Sequence, residues 1–196
     1  MRRVLMVILL LSALSSTAAA QHATTSAQRA KRPAKIEDTG PVTVMRSAHL
    51  QIPIASDAVS IFGYLSDQQK LILWFPDQAI LEPHFGGRYH FRWNNQEGVW
   101  TGVVTEFVPG NTLAFTWKPP QEETVTQVRF QLSPQGGQTQ VELAHSGFVS
   151  AEAFDKAVKA WIIYLQNLKS VIEDQVDLRQ TAVKMSTHPA AHPRRK

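Results

Sequence analysis

The sequence predicts an α+β domain in which a curved antiparallel sheet wraps around one long C-terminal helix. Five short strand-like segments between Arg88 and His145 are separated by tight turns, and most of them alternate apolar with polar residues. Such a series is typical of an antiparallel meander with one buried face. Six apolar residues spaced 4, 3, 4, 3 and 4 apart then form one stripe along a helix.

The segment before the meander predicts one strand and two short helices. Residues 42–52 are rich in β-branched and apolar side chains, which favours a strand. Ser56 or Asp57 can cap a short helix, and Asp67 opens a second helix or turn that reaches about Trp74 before Pro76 ends it. One face of the first helix carries Ala58, Ile61, Phe62 and Leu65.

The meander itself is divided by turn residues. Pro109-Gly110-Asn111 and Gly136-Gly137 are typical turn sequences, and Pro119-Pro120 ends a strand. The strands are predicted at residues 88–93, 99–107, 113–117, 126–132 and 139–145.

The last element is a helix from about Ala151 to Gln175. About 25 residues make a helix roughly 37 Å long, which can cross a whole sheet. Only the inner face of the meander offers enough apolar surface to cover its stripe, so the sheet is expected to enclose the helix. The stripe consists of Phe154, Val158, Trp161, Leu165, Leu168 and Ile172.

Three segments lie outside this domain of residues 42–175. Residues 1–20 have a positive start, an apolar run and Ala18-Ala19-Ala20, which together predict a cleaved signal peptide and an exported protein, periplasmic or secreted. A signal that stays attached as a membrane anchor is the alternative. Residues 21–41 predict a disordered linker and residues 176–196 a disordered basic tail.

Charge and composition exclude several classes of function. The sequence pI is about 9.5, yet residues 42–175 hold nine Lys and Arg against thirteen Asp and Glu, so the basic character belongs to the flanks. This distribution argues against nucleic-acid binding. The chain has no cysteine, which rules out disulfides, thiol nucleophiles and thiolate zinc sites.

Local motifs in this order resemble a known family. Leu73-Trp74-Phe75, Gly86-Gly87-Arg88-Tyr89 and the run from Gly102 to Thr116-Trp117 are similar to motifs of the branch named after the activator of heat shock protein 90 ATPase. His145-Ser146-Gly147-Phe148 and Trp161 with Leu165 and Leu168 continue the likeness, which covers about residues 44–173. This branch belongs to the START-like (SRPBCC) superfamily, which has the helix-grip fold.

The resemblance implies a cavity between sheet and helix. Members of the superfamily bind lipids, sterols, polyketides or hormones there, and some cyclise or dehydrate their ligand. Fold alone does not assign any of these roles to this chain. The branch takes its name from a eukaryotic cytosolic co-chaperone, so the predicted export argues against a chaperone partner.

Large rings on the inward stripes are the candidate ligand-binding residues, because an apolar pocket with a few polar groups is the usual ligand site. The alternative for each ring is simple core packing. His145 shares the stripe of Val141 and Leu143, so it is either a core histidine with satisfied hydrogen bonds or a weak candidate for acid–base catalysis. The candidate set is Trp74, Tyr89, Phe91, Trp93, Phe115, Trp117, His145 and Trp161.

No motif for catalysis, phosphate binding or metal binding is present in the sequence. His49, His84, His90 and His145 are scattered over different strands and faces, so we predict no metal site and no cofactor. Glu106 shares a strand face with Val104 by simple alternation, which would bury its carboxylate, whereas a bulge in this strand would turn it to the other face.

Three functions remain open. The first is an exported domain that holds a small apolar or amphipathic ligand, which calls for a closed cavity above about 300 Å³. The second is an enzyme of the cyclase or dehydratase type that uses the same cavity. The third is a protein-interaction domain of the cell envelope, with a packed interior and an exposed apolar patch.

Overall fold

The computed structural model describes residues 45–180. The predicted signal peptide, the predicted linker and residues 181–196 of the predicted tail lie outside these residues. The elements, in chain order, are β1 (Arg46–Ile54), α1 (Ala58–Ser66), α2 (Gln68–Leu71), β2 (Gln78–Leu81), β3 (Arg88–Arg92), β4 (Trp100–Val108), β5 (Thr112–Trp117), β6 (Thr126–Gln135), β7 (Gln138–Phe148) and α3 (Ala151–Glu173).

The strands form one seven-stranded antiparallel sheet in the order β1-β7-β6-β5-β4-β3-β2. The first and last strands are neighbours, and β1 and β2 are the two edges. The inner face carries the large apolar side chains, and α3 lies across it. The predicted α+β architecture, a curved antiparallel sheet around a long C-terminal helix, is confirmed.

The two short helices follow the sequence closely. The Asp57 side chain caps α1 by accepting a hydrogen bond from the backbone N of Ser60, and the four residues of the predicted apolar face are all buried. Asp67 caps α2 in the same way through the backbone N of Gln69 and Lys70. Helix α2 ends at Leu71, three residues before the predicted limit, and the chain continues through turns to Pro76.

One strand was missing from the sequence prediction. Strand β2 has only four residues and pairs with β3, with Leu81 as its one buried side chain. A segment this short cannot show an alternation that separates it from a loop. The first strand also differs, because its described part begins at Arg46 and continues to Ile54, two residues beyond the predicted end.

A β-bulge in β4 decides the orientation of Glu106 against simple alternation. The register shifts between Val104 and Glu106, so Glu106 opposes Ala114 and points to the outer face. There its carboxylate accepts a hydrogen bond from Arg129 Nε at 2.9 Å, and both side chains are about 40% exposed. Phe107 takes the inward position instead and packs edge-on against Phe62.

Gly102 in β4 allows a close crossing of strands. A Cβ at this position would lie 2.4 Å from Thr116 O and 2.6 Å from the ring of Tyr89. The absence of that atom lets the Tyr89 hydroxyl pass over β4 and donate a hydrogen bond to Thr116 O at 2.8 Å. A side chain at residue 102 would therefore separate β4 from both neighbouring strands.

Helix α3 begins at its cap, Ser150, whose Oγ accepts a hydrogen bond from the backbone N of Ala153. Trp161, Leu165 and Leu168 of the predicted stripe are fully buried, whereas the remaining members are half-buried. Among the described residues, no helix is long and apolar enough to cross a membrane. The half-buried members are Phe154, Val158 and Ile172.

The chain turns back onto the domain after α3. Gln175 has a φ of 58°, a left-handed conformation that commonly ends helices, and the backbone N of Val176 then donates to Ser170 O. Residues 176–180 pack against the turn that follows α2 through hydrogen bonds from Arg179. The start of the predicted disordered tail at residue 176 is therefore corrected, and the packed part extends at least to Gln180.

Candidate functional site

A cleft of about 150 Å³ opens between the sheet and the N-terminal half of α3. Its floor is formed by the ends of β3, β5 and β7 and the start of β4 and β6, and its roof is α3. The aromatic walls are Phe75, Trp93, Trp100, Trp117, Phe148, Trp161 and Tyr164. The other lining residues are Gln96, Pro119, Glu122, Thr126, His145, Ala153, Lys156, Ala157 and Ala160.

The cleft exists because the roof carries small side chains. Ala153, Ala157 and Ala160 line it from three successive turns of α3. Residues three and four apart share one face of a helix, so these alanines leave a continuous gap above the sheet. The gap ends at Trp161, where the large buried residues of the helix begin.

The aromatic rings meet at many angles around this space. The Phe75 ring stacks on Trp161 with centroids 5.1 Å apart and lies edge-on to Tyr164 at 4.9 Å. Trp93 lies edge-on to Trp100 at 4.8 Å. Such contacts fix the rings in place, so the cleft is lined by a rigid apolar surface.

His145 holds the inner end of the cleft together through three hydrogen bonds in series. Trp161 Nε1 can only donate, so at 2.9 Å it requires an unprotonated Nδ1 on His145. The ring proton is therefore on Nε2 and is donated to Thr126 Oγ1 at 2.7 Å. The Thr126 hydroxyl in turn donates to Trp117 O at 3.1 Å, so every member is satisfied.

Burial keeps this histidine neutral. His145 is 1% exposed, and desolvation of the charged imidazolium lowers its pKa from 6.5 to about 4. Protonation of Nδ1 would also direct an N–H against the indole N–H of Trp161. The inner wall of the cleft is consequently uncharged at neutral pH.

The exposed polar and charged side chains that line the cleft lie at its mouth. Gln96 follows β3, Glu122 lies between β5 and β6, and Lys156 lies on α3, and all three are exposed. Because they come from three different elements, they surround the opening from separate sides. The site therefore combines an apolar interior with a polar rim, an arrangement that suits amphipathic ligands.

The candidate residues of the sequence prediction divide into two groups. Trp93, Trp117, His145 and Trp161 line the cleft. The others lie in the core beneath it, where a void of only about 10 Å³ remains, too small for more than one water molecule. The residues outside the cleft are Trp74, Tyr89, Phe91 and Phe115.

Several lining residues were absent from the prediction. Phe75 comes from a turn, where alternation gives no direction, and Trp100 lies at the start of β4. Phe148 and Tyr164 were equally unassigned, although Tyr164 follows Trp161 by three residues and so shares its helix face. Ala157 and Ala160 could not be assigned to the cleft from the sequence, because an alanine in a helix is found on buried faces and on exposed ones.

Within residues 45–180, no group of three or more His, Asp or Glu side chains is close enough to hold a metal ion. In the same range every buried side-chain nitrogen and oxygen has a hydrogen-bond partner. The cleft therefore presents no cluster of charged ligands, and its chemistry is that of aromatic faces.

Comparison with protein families gives one match. Residues 56–173 match the family described as Activator of Hsp90 ATPase homolog 1-like protein. This segment runs from the start of α1 to the end of α3 and contains every residue that lines the cleft. No curated protein matches the chain.

Solved structures share the fold. An AHSA1-like protein from Rhizobium etli is 28% identical, with a TM-score of 0.54, 66% of this chain covered and 82% of that one. The Aha1 dimer from Colwellia psychrerythraea is 23% identical, with a TM-score of 0.60 and coverages of 65% and 96%. A protein from Mesorhizobium loti is 20% identical, with a TM-score of 0.61 and coverages of 67% and 99%.

Proposed function

Since the chain belongs to the family of Activator of Hsp90 ATPase homolog 1-like proteins, a START-like branch, we propose that it binds a small amphipathic ligand in the cleft under α3. The observation that supports this most is the row of alanines on α3 opposite five aromatic rings of the sheet and the turn after α2, which keeps an apolar space open beside the packed core. Tight packing is the rule in protein interiors, so an apolar gap at one end of the helix favours binding.

The cleft is open and has about 150 Å³, so the closed cavity above about 300 Å³ that was expected from the sequence is not found within residues 45–180, and the ligand must be small. An apolar cavity of about 150 Å³ accepts one benzene-sized molecule, and this cleft has the same volume. Sterols, phospholipids and large polyketides need a cavity above about 300 Å³, so they do not fit this conformation. The expected ligand inserts one small ring or branched alkyl group and leaves its polar end at the mouth, near Glu122 and Lys156.

The interior favours an uncharged group. His145 is neutral, and both of its ring nitrogens are engaged by Trp161 and Thr126. The free energy needed to move an unpaired charge from water into this interior exceeds what burial of a small apolar group in the cleft contributes. The inserted part of the ligand is therefore apolar, and any charge it carries stays at the rim.

The same hydrogen bonds argue against the enzyme alternative. A general base needs a free lone pair within reach of the substrate, whereas the Nδ1 lone pair of His145 accepts the indole proton of Trp161. No other titratable side chain lines the interior among the described residues, apart from Tyr164. Burial raises the pKa of Tyr164, which removes it as a base near neutral pH.

Native mass spectrometry of the protein purified gently from its own host tests the proposal. A small molecule retained in stoichiometric amount is the expected result. It should be lost from Ala157→Leu, which places a larger side chain in the roof of the cleft. Ala151→Leu is the matched control, because residue 151 lies in the exposed first turn of the same helix and does not line the cleft.

A clean apo mass that is unchanged after incubation with extracts of small metabolites and lipids would contradict the proposal. A molecule retained equally by both leucine variants would place binding elsewhere on the protein. Either result would turn attention to an interaction domain, in which the rings serve the core alone.

We further propose that the domain acts after export, on the basis of the residue pattern at positions 1–20. Mass analysis of the protein from the envelope fraction is expected to give a chain that begins near Gln21. Recovery of the uncleaved chain from the cytosol would contradict export and leave the ligand proposal untouched.

A further inference from the structure

We propose that residues 176–180 form a clasp that fixes one wall of the cleft, with Arg179 as its positioning residue. The segment lies beyond the family match, which ends at residue 173. It packs on the turn between α2 and β2, and that turn carries Phe75. Asp177 and Arg179 make the side-chain contacts of the clasp, and Asn167 of α3 binds it from the domain.

Arg179 binds three backbone carbonyls of one turn. Its Nη1 donates to Phe75 O at 3.0 Å and to Pro76 O at 3.3 Å, and its Nη2 donates to Ile72 O at 2.8 Å. The planar guanidinium is held in this direction by Asp177, which accepts from Nε and Nη2, each at 2.9 Å. A lysine has no such fork and could not reach all three carbonyls together.

Asn167 closes the clasp from inside the domain. It is completely buried on α3, and its Nδ2 donates to Trp74 O at 2.8 Å and to Asp177 Oδ1 at 3.0 Å. Its Oδ1 accepts from the backbone N of Leu178 at 2.7 Å. One side chain thus joins the helix, the turn and the C-terminal segment.

The link to the cleft passes through Phe75. Its carbonyl accepts hydrogen bonds from both Arg179 and Trp93 Nε1, the latter at 3.0 Å. Its ring lines the cleft and contacts the rings of Trp93, Trp117 and Trp161. The turn bonds to the sheet at its end, where the backbone N of Asp77 donates to Arg92 O. The clasp restrains the rest of the turn, and with it the position of the Phe75 backbone and ring.

Indole hydrogen exchange measured by NMR tests the clasp without any ligand. In Arg179→Met the Nε1 proton of Trp93 should exchange about tenfold faster. Phe75 O accepts this proton, and in the variant Phe75 O no longer binds the Arg179 guanidinium. The Nε1 proton of Trp161, which is bonded to His145 and not to the turn, serves as the internal reference. Its exchange should change less than about twofold.

Lys169→Met is the matched control variant. Lys169 lies near the C-terminal end of α3, and its Nζ donates a hydrogen bond to Pro53 O of β1 at 2.8 Å. Like Arg179, Lys169 does not line the cleft. Its loss removes one positive charge and should leave the Trp93 proton as it is. If Arg179→Met does not fold, Arg179→Lys should shift the Trp93 proton in the same direction by a smaller factor.

Unchanged exchange at Trp93, or equal acceleration at Trp93 and Trp161, would overturn the clasp. A second readout rests on the proposed function: fluorobenzene should bind Arg179→Met about tenfold more weakly than Lys169→Met. If fluorobenzene binds no form of the protein, the ligand proposal fails while the indole measurement still decides on the clasp. Equal binding by both variants would refute the coupling between clasp and cleft.

Discussion

The two halves of α3 meet the same sheet in different ways. The C-terminal half buries Leu165, Leu168 and Val171 in the core of the domain. The N-terminal half presents Ala153, Ala157 and Ala160 to the sheet and leaves a cleft of about 150 Å³. We call the first region the packed end and the second the cleft end.

The difference shows how one amphipathic helix can serve two purposes. At the packed end, leucines and valines fill the space and stabilise the domain. At the cleft end, replacement of large residues by alanines exposes aromatic rings that belong to the sheet. Trp161 and its bond to His145 mark the boundary between the two regions.

The largest effect is expected at the packed end. Leu168→Ala removes a completely buried side chain and should lower the free energy of unfolding by about 3 kcal/mol. Urea denaturation at neutral pH measures this change. Fluorobenzene binding at the cleft should remain, since Leu168 does not line it.

Ile163→Ala is the control for that loss. Ile163 lies on the same helix but is 59% exposed, so its truncation should change stability by less than about 0.5 kcal/mol. Equal losses for the two variants would show that α3 is not covered by the sheet as described.

Acidification should lower the free energy of unfolding through His145, which bonds Trp161 at the boundary between the two regions. His145 has an ordinary pKa of 6.5 and a pKa of about 4 in the folded protein. As pH falls, the unfolded chain takes up this proton first, so stability decreases from about pH 6.5 and stops decreasing from this source below about pH 4. Between pH 7 and pH 5 the loss should be about 2 kcal/mol.

His145→Gln identifies the source of this pH dependence, because it should remove most of it in urea denaturation at the two pH values. The carboxylates with lowered pKa, such as Glu173 and Asp177, lose their contribution only as pH falls below their ordinary values of 4.5 and 3.8. An undiminished slope in the variant would assign the titration to another group.

The cap of α3 should have a smaller effect. Ser150→Ala removes the acceptor for the backbone N of Ala153 and should cost about 1 kcal/mol of stability. The loss falls at the cleft end, so amide hydrogen exchange should rise in the first turns of α3 and not around Leu168. Uniform exchange along the helix would show that its two halves do not open separately.

The smallest effect is expected on the outer face of the sheet. Glu106→Gln weakens an ion pair with Arg129 in which both side chains are about 40% exposed, and such pairs contribute little. Thermal denaturation should shift by no more than the equivalent of about 0.5 kcal/mol. A loss above about 2 kcal/mol would instead place Glu106 in the interior, as simple alternation predicts.

Much of the fold could be predicted from the sequence because alternation and helical spacing are strong signals. Burial alternates along most of β6 and β7, and the stripe of α3 follows the helical spacing. The rules fail at local irregularities. One extra residue in β4 reverses the direction of Glu106, and β2 is too short to show any period.

The site was only partly predictable, because rings in a core and rings in a cleft give the same pattern. Trp93 and Trp117 line the cleft and Tyr89 does not, although all three lie on inward stripes. What separates them is the side chain on the opposite element, in this case an alanine of α3. The bonds of Arg179 were equally hidden, since their acceptors are backbone carbonyls about a hundred residues away.

The most direct test of the central claim is a titration of the protein with fluorobenzene, followed by ¹⁹F NMR. An open cleft of about 150 Å³ at the N-terminal half of α3 predicts saturable binding with a Kd of about 1 mM or tighter. Ala157→Leu should abolish the binding and Ala151→Leu should preserve it. No saturable binding, or binding that survives Ala157→Leu, would contradict the claim that the cleft end of α3 is a ligand site.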